Sequence, residues 1–213
     1  MGIVVSIIPH FSKSARLLNV GISAIALAAS LTLTPAASIA TSNPIAQLPA
    51  QEQATLRSGD AYLTGQNGQY TCRILVTAPV ATAWKVLTDY NNFKNFLPNV
   101  TASQVVESKG NRKVFEQVYT IQALIFSQDS RVRIAATESY PKKIDFQMVD
   151  GDLDSLKGVW RIEPVSANQV LITHQVTVTP KTKKNRALFY GIYEDTLENT
   201  LRAVKQQAEK LAS

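Results

Sequence analysis

Polar and apolar residues alternate with a period of two through most of the second half of the chain, and the last stretch changes to a period of three to four. Over residues 113–125 one set holds Phe115, Gln117, Tyr119, Ile121, Ala123 and Ile125, while the other holds Glu116, Thr120 and Gln122 among Val114 and Val118. Val132 and Ile134 alternate with Arg131 and Arg133; Ile144, Phe146 and Met148 with Lys143, Asp145 and Gln147. Leu156, Gly158, Trp160 and Ile162 alternate with Lys157, Arg161 and Glu163, and Val170, Ile172, His174, Val176 and Val178 with threonines and glutamines. Successive side chains of a strand point to opposite faces, so each run predicts a strand with one dry and one wet face. Lys109-Gly110-Asn111 and Asp150-Gly151-Asp152 supply turns, a short run at Ser103 to Glu107 precedes them, and strands joined in order by short turns form an antiparallel meander. Earlier, Ala61 to Thr64 and Gln69 to Thr77 flank Gly65-Gln66-Asn67-Gly68, which predicts a hairpin.

Between hairpin and meander, Val80 to Tyr90 reads as a helix with Val80, Ala83, Trp84 and Leu87 on one side, and Phe93 and Phe96 suggest a further short turn ended by Pro98-Asn99. The long helix runs from Asn185 to Leu211. Tyr190, Tyr193, Leu197, Leu201, Val204, Ala208 and Leu211 form its apolar stripe, with Glu194, Glu198, Arg202, Lys205 and Glu209 opposite. A stripe of this length needs a whole sheet to cover it. The pattern therefore predicts an α+β domain: a curved antiparallel sheet of about seven strands around a long C-terminal helix, with two short helices after the first strands.

The first forty residues differ from the rest. Lys13 and Arg16 are their only charges, Leu17 to Leu33 is mostly apolar, and Ser38-Ile39-Ala40 places small residues at the last and third-last positions. That order reads as a secretory signal, and the alternative is an uncleaved membrane anchor. The expected division is a signal over 1–40, a flexible linker over 41–58 on the strength of its prolines and lack of period, and one domain over 59–213. The destination is then an exported one, periplasmic or secreted.

Composition narrows the chemistry. Removing Lys13 and Arg16 from 22 basic residues leaves 20 against 16 acidic ones, a net charge of about +4 that does not call for a nucleic-acid partner. Lys181, Lys183, Lys184 and Arg186 form the one basic cluster, suited either to a solvated loop or to transient contact with an anionic membrane. Cys72 is the only cysteine and falls on the apolar side of Tyr70, Cys72, Ile74 and Val76, as a buried thiol does. With His174 the only imidazole after the leader, no metal site is expected, and no cofactor is.

Certain residues carry a family likeness. Val76-Thr77-Ala78-Pro79, Trp84-Lys85-Val86-Leu87-Thr88-Asp89-Tyr90, Phe96-Leu97-Pro98-Asn99-Val100, Gly151-Asp152 and Gly158-Val159-Trp160 resemble the START-like (SRPBCC) superfamily with its helix-grip fold. Within it the resemblance is to the polyketide cyclase/dehydrase and coenzyme Q-binding branch. These are turn and packing positions and transfer no chemistry. The resemblance implies a cavity between sheet and long helix for an apolar ligand. On that basis Phe115, Gln117, Tyr119, Ile134, Phe146, Trp160, His174, Tyr193, Leu197 and Leu201 are the expected lining. Two functions follow: a non-catalytic carrier of a lipid, quinone or isoprenoid, or an enzyme similar to the aromatase/cyclases. The enzyme needs an acid or base facing the ligand, for which His174 and Tyr119 are the only candidates.

Overall fold

The alternating runs form one sheet of eight strands, whose order places the first hairpin beside the last strand. The structure, a computed structural model, describes residues 43–123 and 126–213, with backbone alone over 121–123 and 126–128. The leader expected over 1–40 lies outside the described residues. The strands are β1 (Tyr62–Gln66), β2 (Gln69–Val76), β3 (Val100–Lys109), β4 (Arg112–Ala123), β5 (Phe126–Ser139), β6 (Lys143–Gly151), β7 (Leu153–Ser166) and β8 (Gln169–Pro180). Their order is β1-β2-β8-β7-β6-β5-β4-β3, antiparallel throughout. The count exceeds the expected seven because the short run at Ser103 to Glu107 is the middle of a full strand, β3, paired along β4 through two irregular steps.

Pairing carries the dry face across the sheet. Ile74 stands opposite Ile172 and Ile172 opposite Ile162, so one face of β2, β8 and β7 is continuous hydrocarbon. Val132, Ile134, Ala136 and Ile144 extend it through β5 and β6, all buried. The helices close over this face. In α2 (Val80–Leu87), Ala83, Trp84, Val86 and Leu87 are buried, and a 3-10 segment at Tyr90–Asn95 buries Tyr90 and Phe93. The long helix, α3 (Arg186–Ala212), buries Leu197, Leu201, Val204 and Ala208, four members of the expected stripe.

The C-terminal half of α3 is fastened by polar contacts as well. Arg202 pairs with Glu198, one turn before it on the polar side of the helix, at 2.9 Å and with Asp60 at 2.7 Å. Lys205 donates to the Leu75 carbonyl, and Glu209 accepts from the Thr77 amide.

The linker expected over 41–58 is a correction. From Pro44 to Arg57 the chain forms a 3-10 turn, Pro44–Gln47, and a helix, α1 (Ala50–Arg57), packed on the outer face of β2 and β8. Ile45 and Leu56 meet Leu75 and Leu171 there, all buried. The outer face is thus not uniformly wet: Leu75 and Leu171 stand opposite each other on it and need a cover. Glu52, 3% exposed, pairs with Arg73 of β2 at 2.6 Å. The segment lacks a helical period because it is too short for one, and its order comes from tertiary contact.

Candidate functional site in the sheet–helix interior

Strand register determines which inner-face side chains meet. Trp160 and His174 are cross-strand partners, and their rings stack with centroids 3.7 Å apart and an interplanar angle of 21°. Phe146 stands opposite Gly158, and its ring reaches His174 at 5.5 Å and 20°. Gly158 permits this. A Cβ there would lie 2.7 Å from the Phe146 ring and 2.1 Å from the Gln175 carbonyl oxygen, closer than side-chain carbons approach.

His174 is buried and its Nδ1 has no hydrogen-bond partner. Burial disfavours the imidazolium and pushes the pKa down to about 3, so the ring is neutral across the physiological range. On β4, two positions apart and on the same face, Tyr119 donates its hydroxyl proton to Gln117 Oε1 at 3.0 Å. Gln117 Nε2 is buried without a partner. Turning the amide over would only exchange which of its polar atoms is left over. An unpaired buried amide costs roughly 1–3 kcal/mol.

The α3 side contributes aromatic rings. Tyr193 lies 6.0 Å from Tyr70 of β2 and stacks on Phe189 at 5.9 Å. Burial pushes the Tyr119 phenol up to about 12. For Tyr193, burial first and then the neighbouring Tyr119 and Tyr70 drive the shift upward, so both phenols stay protonated. Cys72, on β2 directly opposite His174, is held up to about 12, chiefly by burial, and is no nucleophile.

The expected lining residues separate into three groups. Gln117, Tyr119, Phe146, Trp160, His174 and Tyr193 are the inner-face polar and aromatic groups just described. Leu197 lies with Tyr70, Val176 and Val178 in the cluster at that end of α3, whereas Ile134 and Leu201 belong to the main core. Phe115 is in the main core too, stacked on Tyr90 at 4.4 Å and edge-on to Phe93, towards α2. Tyr70 and Phe189 join the site without having been expected. Tyr70 was visible on the dry side of β2, but nothing in the sequence said that β2 would neighbour β8. The basic cluster divides: Lys181, Lys183 and Lys184 are exposed, while Arg186 is half-buried with Nε lacking a partner.

A continuous antiparallel sheet gripping a long C-terminal helix, with aromatic and orphaned polar groups between them, defines a START-like helix-grip domain. The family model for polyketide cyclase/dehydrase and lipid transport matches residues 76–205, and the chain belongs to that family. Three solved structures illustrate the fold. A STAR-related lipid transfer protein from Xanthomonas axonopodis superposes with a TM-score of 0.57 at 18% identity, covering 70% of this chain and 92% of its own. A START superfamily protein from Mycobacterium smegmatis gives 0.60 at 15%, covering 68% and 99%. The Zhui aromatase/cyclase from Streptomyces sp. R1128 gives 0.58 at 14%, covering 72% and 96%. No curated protein sequence matches the chain.

Proposed function

We propose that this protein is a non-catalytic carrier of a hydrophobic small molecule of the lipid, quinone or isoprenoid class, held between the sheet and α3. The observation that carries this reading is the pair of orphaned nitrogens, Gln117 Nε2 and His174 Nδ1, buried on the inner face among aromatic rings. A ligand with an apolar body and one or two oxygens would fit such a lining and relieve the amide's cost. The neutral His174 is a weak base, and the phenols of Tyr119 and Tyr193 are weak acids, which speaks against proton transfer as their task. Lipid-transfer and cyclase relatives share the fold, so the fold alone does not choose between the two functions.

The carrier acts after export, the role that the leader implies. It collects its ligand at an anionic surface through Lys181, Lys183 and Lys184, beside which Leu188 is 55% exposed at the start of α3. Reversing Lys183 and Lys184 to glutamate should then reduce sedimentation with phosphatidylserine vesicles.

Native mass spectrometry with lipid extraction, on protein purified gently from its own cell, tests the carrier reading. A co-purifying apolar molecule is expected, and Gln117→Leu should weaken its retention. If the protein stays empty and takes nothing from a total lipid extract, the carrier reading fails.

A further inference from the structure

A recess lies on the outer face of the sheet, away from the interior. It has a volume of about 460 Å3 and is enclosed by the outer face of β2, β8 and β7 and by Pro44 and Leu48 of the N-terminal segment. Its floor is one cross-strand row: Thr173 of β8 stands opposite Arg73 on one side and Arg161 on the other. Thr173 is 3% exposed, lines the recess, and has a buried Oγ1 with no hydrogen-bond partner.

Both guanidinium groups retain donors. Arg73 is anchored by Glu52 through Nη1, which leaves its other N–H groups for a ligand. Arg161 is exposed, and its guanidinium forms no hydrogen bond or ion pair with any described residue. Gln175 adds an amide at the next outward position of β8. A hydroxyl flanked by two guanidiniums concentrates hydrogen-bond donors in one row, and planar guanidinium forks match carboxylate and phosphate oxygens. Glu163, the acidic residue that also lines the recess, stands one row away opposite Leu171. Its charge confines an incoming anion to the arginine row.

We propose that this recess is a binding site for a small molecule carrying an oxyanion, a carboxylate or a phosphate ester, with Thr173, Arg73 and Arg161 as its donors. The volume exceeds that of a bare ion, so the oxyanion is one end of a larger ligand whose remainder rests on Leu48 and Leu171. The N-terminal segment is then a wall of a site as well as a cover.

Inorganic phosphate and, separately, acetate titrated into the isotopically labelled full-length protein test this by nuclear magnetic resonance. Saturable shifts confined to the amides around Arg73, Arg161, Thr173 and Gln175 are expected. Phosphate alone would identify a phosphoryl ligand, and acetate alone a carboxylate. Arg161→Gln, at an exposed position that leaves the fold intact, should weaken the binding by roughly tenfold or more, as loss of a charge-assisted bond does. It should leave retention of the interior ligand unchanged, which separates this site from the carrier reading. Thr173→Val should raise the melting temperature without phosphate and abolish the rise that phosphate produces. Shifts that never saturate, that spread over the lysines, or that persist in Arg161→Gln overturn the proposal. So does a Thr173→Val protein that is less stable yet still responds to the anion.

Discussion

His174 ties the stability of the fold to pH through a single ring. In the unfolded chain its imidazole titrates near 6.5, whereas in the interior the pKa falls to about 3. The unfolded state therefore binds a proton that the folded state refuses, and stability present above pH 6.5 is lost as pH falls towards 3. At pH 4.5 the loss relative to pH 7.5 amounts to about 2–3 kcal/mol. His174→Phe keeps a ring against Trp160 and cannot titrate, so urea unfolding at both pH values should show that component only in the unsubstituted protein. Gly158 makes a second prediction at this scale. Its missing side chain is the space that Phe146 uses, and the Gln175 carbonyl on the other side belongs to a paired strand and cannot retreat. Gly158→Ala should cost about 2 kcal/mol or more by chemical denaturation. Replacing Phe146 with Leu in the same chain should recover only part of that cost, since the carbonyl contact remains.

Among the elements, α1 shows what the sequence could and could not tell. The strands were legible because repeated alternation of polar and apolar residues is a strong signal, and α2 and α3 because their apolar positions recur at helical spacing. The N-terminal segment offers only Ile45, Leu48 and Leu56 as large apolar residues, at no regular interval and interrupted by Pro49, and it reads as linker until the surface beneath it is known. A trace of that surface was in the sequence: Leu75 and Leu171 fall on the side of their strands otherwise given to Thr, Gln and Arg. Register then joins them, and the cover follows. Leu56→Ala should lower stability by about 2–4 kcal/mol, a core-sized loss from a residue in a supposed linker. Part of the interior site was legible by the same alternation, since Gln117, Tyr119, Trp160 and His174 all face inward. Which of these touch was not. Whether Phe115 meets Tyr90 or a ligand depends on how the 3-10 segment folds back across the sheet, and no local pattern encodes that.

For the whole molecule, α3 divides into two halves with different tasks. From Leu197 onward it has fully buried residues and bonds to β2 and to Asp60. From Arg186 to Thr196 none is fully buried, and the aromatic rings of Phe189, Tyr190 and Tyr193 lie part-covered over the interior. Amides of residues 190–196 should accordingly exchange hydrogen faster than those of 201–208, and a ligand in the interior should slow the first group selectively. Mass spectrometry of exchange with and without the extracted ligand checks this. Equal protection of both halves would mean that the ligand does not enter beneath α3. The stacked pair of Trp160 and His174 gives the molecule a built-in optical signal. Its other tryptophan, Trp84, lies on α2, edge-on to Tyr140. A quinone or other electron-accepting cargo arriving against Trp160 would quench that indole. The fraction of light lost at saturation, compared with Trp160→Phe, would read occupancy directly, in a cuvette and without a label.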